Sequence, residues 1–185
     1  RDFSGTHFVS IGSRYKLSQI AKGNYEGRKL ETNKPEFIRS LVSSWPSEST
    51  LIWCIYNREQ DSMEQIFPGA ASIRGNTKLE DRERMISDFK CGKNKILISK
   101  AECLGFGLNL QVCTRQVFSG LEDSYESFFQ AVKRSNRVGS TLPLNVHIPI
   151  TSAERPMVET VLRKAKRIHQ DTVEQEEIFN RIGGR

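Results

Sequence analysis

The sequence predicts an α/β domain: a doubly wound, mainly parallel sheet with helices on both faces. Three observations predict it. The first is a set of short, unbroken apolar runs rich in β-formers, of which "TLIWCIY" (Thr50–Tyr56) and "KILIS" (Lys95–Ser99) are the clearest; runs of this length and kind are expected of strands covered on both faces. The second is the helical spacing of apolar residues in the segments between those runs. The third is their alternation, at intervals suited to right-handed crossovers between parallel strands.

Taken in order, Lys34 to Trp45 reads as a helix with Pro35 in its first turn, where a missing N–H costs nothing. The strand Thr50–Tyr56 follows, and then a helix from about Arg58 to Phe67 that ends at Pro68. "AASI" (Ala70–Ile73) is a short strand. "TKLE" (Thr77–Glu80) has the form of a capping box and opens a helix with Met85, Ile86 and Phe89 inward, stopped by Gly92. Lys95–Ser99 is the next buried strand and runs into the glycine-bearing loop "KAECLGFGLNLQ". "RQVFSG" is strand-like, and Asp123 with Glu126 forms a cap for the next helix. "LNVHIPI" (Leu144–Ile150) is a further strand. "TSAE" (Thr151–Glu154) is a second capping box, before a helix that carries Val158, Val161, Leu162, Ala165 and Ile168 at helical spacing. The expected organisation is a lead-in at 1–33, a domain at 34–170 and an acidic helical tail at 171–185.

The 185 residues suffice for one domain with a real core, and 37% hydrophobic with 27% charged residues is a globular balance. No run approaches the ~18 consecutive apolar residues of a membrane span, so no membrane partner is expected. The opening "RDFSGTHFVSIG" has neither an initiator Met nor a signal-peptide pattern, which leads us to expect a piece of a longer chain. A formal charge of +6 suggests a polyanionic partner. Much of the excess falls between Glu126 and Gln170, where Lys133, Arg134, Arg137, Arg155, Arg163, Lys164, Lys166 and Arg167 face only Glu126, Glu154 and Glu159. Cys54, Cys91, Cys103 and Cys113 form no C-x-x-C, and His7, His147 and His169 have no ligand spacing, so no metal site is expected. Unpaired cysteines fit a reducing intracellular compartment, cytoplasmic or nucleoid-associated.

In doubly wound sheets, ligands bind beyond the carboxyl ends of the strands. The polar segments after Tyr56, Ile73, Ile98 and Ser119 therefore share the edge where chemistry is expected. In "FFQAVKRSNRVGS" (Phe128–Ser140), a continuous helix would set Gln130, Arg134 and Arg137 within a sector of about 60°, with Tyr125, Phe128 and Val132 opposite. Two readings fit that spacing. One is a solvated basic helix end, matched to its own dipole and closed by Gly139. The other is a cationic face awaiting an anion.

Three further segments, in order along the chain with this one, bear on the choice. "QAVKRSNRVG" fits Q-x-x-x-R-x-x-R-x-G and resembles the sixth motif of superfamily-two helicases and translocases. "KILISKAECLGFGLNL" resembles their fifth motif, "TLIWCIYN" their fourth, and "IRGNTKLEDRERMISDF" the segment that follows it. The G-x-G-L-N form is closer to Swi/Snf-type DNA translocases and phage helicase-like proteins than to DEAD-box RNA helicases. The resemblance covers roughly Lys34 to Ile150, and to Gln170 with the following helix. It implies a RecA-like second lobe of an ATP-dependent DNA helicase or translocase, with ATP held between two lobes and nucleic acid crossing both. The alternatives are an RNA helicase lobe and a non-hydrolysing nucleic-acid-binding or regulatory module. The chain has no G-x-x-x-x-G-K-[ST] loop and no apolar strand leading into Asp-Glu. ATP and Mg2+ would thus be held mainly by an N-terminal RecA-like lobe of the same parent chain, and this fragment alone would be inactive.

The same resemblance implies residue roles. Arg137 takes the arginine-finger position, with Arg134 assisting or holding the motif in place. Gln130, Gly107 and Asn109 face the nucleotide side. Ser99 and Lys100 at a strand end face nucleic-acid phosphates. Asn57, Arg58, Arg74 and Gly75 end strands on the same predicted edge and are candidate phosphate contacts. Arg82 matches a family position but is expected to tie its helix to the sheet. Trp45 and Trp53 read as packing, whereas Phe106, within the loop, is a candidate base contact. The basic helix from Arg155 to Arg167 is either a solvated face or an extension of the track.

Overall fold

The computed structural model describes residues 11–104, 108–122, 124–137 and 139–183 of the chain. Helix α1 (Ile11–Ala21) leads into an antiparallel hairpin of β1 (Asn24–Tyr25) and β2 (Arg28–Lys29). Then come α2 (Lys34–Ser43), β3 (Thr50–Cys54), α3 (Asn57–Ile66), β4 (Ala71–Ile73), α4 (Leu79–Lys90) and β5 (Ile96–Lys100). A 3-10 turn at Ala101–Leu104 follows, and then β6 (Arg115–Phe118), α5 (Tyr125–Lys133), β7 (Asn145–His147) and α6 (Arg155–Gly183).

Strands β3 to β7 form one sheet in the order β4-β5-β3-β6-β7, and every pairing is parallel. The doubly wound architecture expected from the sequence is therefore present. Side chains alternate across each strand, and this sorts the core into two layers. Leu51, Trp53, Leu97 and Phe118 face one way, against Phe89 of α4, Ala131 of α5 and Val158 and Val161 of α6. Ile52, Cys54, Ile98 and Val117 face the other way, against Ile38 and Val42 of α2 and Met63 of α3. The move from β3 to β4 carries α3 on one face, while the opposite moves from β4 to β5 and from β6 to β7 carry α4 and α5 on the other. All three crossovers thus share one hand, as the twist of parallel sheets requires. The chain leaves β3 toward β4 on one side and leaves its neighbour β6 toward β7 on the other, so the connections diverge there and open a crevice at the carboxyl ends of these two strands.

Several local expectations need correction. The hairpin was not foreseen; its turn has Glu26 at φ 46° and Gly27 at φ 82°, two positive values in a row, as a two-residue turn matched to strand twist requires. Thr77 does not cap α4. Its hydroxyl accepts the Arg74 N–H at 2.8 Å and closes the turn after β4, so the helix starts later, at Leu79. Helix α5 is capped by Ser124, whose hydroxyl accepts the Ser127 N–H at 3.2 Å; Asp123, expected in that role, lies outside the described residues. Of the residues at helical spacing in α6, Val158 and Val161 are buried, but Leu162 and Ile168 are 47% and 45% exposed. That helix runs unbroken to Gly183.

The lead-in is fastened to this body by buried charge. The Glu154 carboxylate, just before α6, accepts the Lys22 ammonium at 3.1 Å and the Lys34 ammonium at 2.6 and 2.7 Å, as well as the Thr151 N–H at 3.0 Å. All three charged side chains are buried. Burial alone would raise the Glu154 pKa, but the two lysines outweigh it and hold the carboxyl below its ordinary value. Lys22 reaches Glu154 across Gly120, where an added Cβ would lie 2.3 Å from the ammonium. The contact joins the end of α1, the start of α2 and the approach to α6.

Candidate functional site

At the carboxyl end of the sheet, each strand hands over to a loop that is fixed from below. Glu59, buried in the first turn of α3, accepts the N–H groups of Ile55 and Tyr56 at 2.6 and 3.1 Å and the hydroxyl of Ser119. It ties the loop after β3 to the end of β6. Gln60, fully buried, donates to the Ser72 hydroxyl and the Ile73 carbonyl and holds the end of β4. Sequence reasoning singled out neither residue; polar groups buried at a strand end carry no periodic signal.

Between the ends of β3, β5 and β6 and the side of α5 lies a cavity of about 130 Å3. Trp53, Phe118, Phe128 and Ala131 wall it, while Lys100 and Glu102 stand at its mouth. Lys100 pairs with Glu102 at 3.0 Å, and Glu102 is three-quarters exposed. An ion pair of this kind is worth about 0–1 kcal/mol, so a phosphate can replace Glu102 at little cost. Ser99 is placed differently from expectation. It is fully buried, and its hydroxyl donates to the Ile73 carbonyl at 2.9 Å, so it braces β4 against β5 and faces no phosphate.

The basic motif also departs from a continuous helical face. Helix α5 ends at Lys133, and Arg134 is buried while Gln130 and Arg137 are exposed. Arg134 donates to the Ala101 carbonyl at 3.3 Å, and its own carbonyl accepts the Leu110 N–H at 2.8 Å. It thereby clasps both flanks of the glycine-bearing loop. Burial, followed by the nearby charge of Arg137, lowers the Arg134 pKa. Underneath, buried Gln116 on β6 accepts the Trp53 indole N–H at 3.1 Å and donates to the Ala131 carbonyl and the Ser135 hydroxyl, fixing the end of α5. Gln116 too was missed, since a glutamine in a strand is unremarkable until its partners are known.

Arg137 sits beyond the helix on a turn. The Ser140 hydroxyl accepts its N–H at 3.2 Å and donates to the Ser135 carbonyl at 3.1 Å, and the Ser140 N–H donates to the Arg137 carbonyl at 3.0 Å. Gly139, at φ 90°, allows this reversal. Gln111 donates to the same Ser140 hydroxyl at 3.2 Å, and its Oε1 accepts the Asn109 side-chain amide at 2.9 Å. Asn109 and the backbone of Arg137 are thus joined by three hydrogen bonds, through Gln111 and Ser140. No acid among the described residues pairs with the Arg137 guanidinium.

The remaining expected residues divide. Asn57 and Arg58 are exposed at the start of α3, with Arg58 donating to the Gly27 carbonyl of the hairpin. Gly75 is exposed after β4. Arg74 is committed to α3, pairing with Asp61 at 2.6 Å and Glu64 at 2.8 Å. Burial disfavours its charge, yet these two acids raise its pKa on balance. Arg82 points back to the Arg74 carbonyl at 3.5 Å. The cations Arg155, Arg163, Lys164, Lys166 and Arg167 are all exposed on α6. Gly105, Phe106 and Gly107 lie outside the described residues.

Comparison with known proteins gives three findings. The helicase conserved C-terminal domain model matches residues 33–139. Among curated proteins, the ATP-dependent helicase fft1 of Schizosaccharomyces pombe is 31% identical over 118 residues, which is 60% of this chain and 12% of that protein. The ATP-dependent RNA helicase FAL1 of Kluyveromyces lactis is 24% identical over 147 residues, covering 77% of this chain and 36% of that one. The chain thus spans only a minor part of these relatives. Among solved structures, the C-terminal part of the Fun30 ATPase domain superposes with a TM-score of 0.62 at 22% identity, covering 71% of this chain and 46% of that one.

Proposed function

Since the chain belongs to the helicase conserved C-terminal domain family, we propose that it is the second RecA-like lobe of an ATP-dependent DNA helicase or translocase of Swi/Snf type. It supplies an arginine finger and part of the nucleic-acid track. The observation that carries the reading is the contrast between two arginines three residues apart. Arg134 is drawn into the body to clasp the loop after β5, while Arg137 stands exposed on a turn whose backbone is pinned.

A nucleotide polyphosphate suits that arrangement. The exposed guanidinium carries two parallel donors for phosphate oxygens, and its positive charge meets no acid of its own among the described residues. The sequence offers neither a phosphate loop nor magnesium-binding carboxylates, so the rest of the phosphate cradle and Mg2+ fall to an N-terminal lobe of the parent. ATP, when bound, supplies the free energy of phosphoanhydride cleavage. Arg137 binds the terminal phosphate across the closed cleft and stabilises charge there, and Arg134 positions it. Gln130 and Asn109 line the nucleotide side. The Asn109–Gln111–Ser140 chain of hydrogen bonds carries a shift of that side to the loop after β5, where Lys100 meets the backbone of the nucleic acid. Opening and closing of the cleft then steps the lobe along phosphates.

DNA is favoured over RNA by the G-x-G-L-N form of the fifth motif. The RNA reading has its own support in the similarity to FAL1.

The test of the track is binding of the chain to duplex DNA, with RNA as competitor, at several salt concentrations. Lys100→Ala lowers affinity and reduces the log–log salt slope by about 0.9. Lys93→Ala changes neither appreciably, because Lys93 precedes β5 on the opposite edge and pairs with Asp88 at 3.1 Å. Indistinguishable titrations of the two variants would remove Lys100 from the track.

A further inference from the structure

Residues 11–32 lie before the segment that matches the helicase model, yet they pack on the same carboxyl edge as the proposed track. Tyr15 of α1 meets the ring of Tyr56 edge-on, with centroids 5.5 Å apart. Tyr56 directly precedes Asn57 and Arg58 at the start of α3. The Arg58 guanidinium in turn donates to the Gly27 carbonyl in the hairpin turn, and Arg28 is the next residue of that turn. Tyr15 is 54% exposed, and Lys16, Arg28, Asn57 and Arg58 are exposed as well. One continuous surface therefore runs from α1 over the end of β3 to the hairpin, with an aromatic ring at one end and guanidinium groups at the other.

The seat of this surface is rigid. Lys22, at the end of α1, is held by Glu154 and by the Ser18 hydroxyl at 2.6 Å, and Lys34 closes the segment on the same carboxylate. The passage for Lys22 over Gly120 leaves no room for a Cβ. A flexible extension would have no need of three buried charges, whose burial is costly unless each is paired. The charges on α1 and the hairpin are mostly basic: Arg14, Lys16, Lys22, Arg28 and Lys29, against Glu26.

We propose that the lead-in is a second nucleic-acid contact built onto the lobe, binding one strand of DNA. A phosphate sits between Arg28 and Arg58, and an unpaired base stacks on Tyr15. This proposal rests on the reading of the chain as a translocase lobe and extends its track beyond the family's own segment. Aromatic rings with flanking cations are the general means of holding single strands without sequence preference.

The experiment is fluorescence anisotropy of a short labelled single-stranded DNA against the 185-residue chain, Tyr15→Ala/Arg28→Ala and Lys100→Ala, at several salt concentrations. Thermal melting of each serves as the folding control. Both positions are outside the core, so the double variant is expected to stay folded and to melt only slightly lower, for the lost Tyr15–Tyr56 ring contact. It is expected to bind at least ~5-fold more weakly, as loss of one stacked base alone would dictate. Its salt slope should fall by about 0.7 for the lost phosphate contact. If the double variant binds as the unchanged chain does while Lys100→Ala weakens binding, the lead-in site is wrong and the lobe's track stands. If the double variant loses affinity and Lys100→Ala does not, the lead-in site stands and the track at the strand ends is misassigned. If neither change matters, or the unchanged chain does not bind, both assignments fall.

Discussion

Arg134 and Arg137 show how far residue type alone can mislead. Both read as cations on one helical face, yet the helix stops between Gln130 and the pair, and only one of the two arginines is left outside. What separates them is Gln116, on the strand just before α5, whose amide holds the Ala131 carbonyl and the Ser135 hydroxyl and so fixes the end of α5. Gln116→Leu leaves the Trp53 indole N–H and the Ser135 hydroxyl without that partner inside the core. Leaving buried polar groups unsatisfied costs about 1–3 kcal/mol each, so the variant is expected to melt several degrees lower. Equal melting of Gln116→Leu and the unchanged chain would show that the site is not held from below in this way. Ser99 teaches the same lesson. Its place at a strand end is legible in the sequence, but its orientation depends on the Ile73 carbonyl of the neighbouring strand.

At the scale of elements, the strands and central helices were legible because their burial is two-sided and periodic. Thr50–Cys54 and Ile96–Lys100 lie within a residue or two of where the apolar runs placed them. The hairpin at Asn24–Lys29 was not legible, since two-residue strands have no period to detect. The Glu26-Gly27 turn was its one local signal. The capping boxes were legible as patterns but not as partners. Thr77 serves its preceding turn, and Glu154, although it accepts the Thr151 N–H, spends most of its bonding on lysines 120 and 132 positions away. That buried cluster makes a prediction for α1, α2 and α6 together. Glu154→Ala leaves two ammonium groups buried and unpaired, and is expected to cost about 3–5 kcal/mol in chemical denaturation. The pH dependence follows from the depressed Glu154 pKa. Its contribution is complete above the ordinary carboxylate value of about 4.3 and is lost as pH falls through the lower folded value. The difference in stability between the unchanged chain and Glu154→Ala should therefore narrow as the pH is lowered below about 4. A difference that stays constant to the lowest pH at which the fold survives would mean that Glu154 is not ionised in the cluster.

For the whole molecule, the doubly wound sheet was legible in the sequence, because alternation of strand and helix leaves few topologies. The order of strands puts the crevice at the ends of β3 and β6, and Lys100 is among the residues lining the cavity there. A half-site is what such a lobe can offer. The purified 185-residue chain is therefore expected to show no nucleic-acid-stimulated phosphate release, and turnover at rates typical of a complete helicase would contradict that.

The central claim is that Arg137 acts on the nucleotide across the cleft, and steady-state ATPase of the parent protein with Arg137→Lys tests it most directly. Lysine keeps the charge and loses the paired donors. An arginine finger is worth about 10³–10⁵ in turnover, so the account predicts a loss of that order. The exposed position should leave the melting temperature and nucleotide-free DNA binding unchanged. A well-folded Arg137→Lys parent that hydrolyses ATP at near the normal rate would contradict the account, and would return the segment to a basic helix end matched to its own dipole.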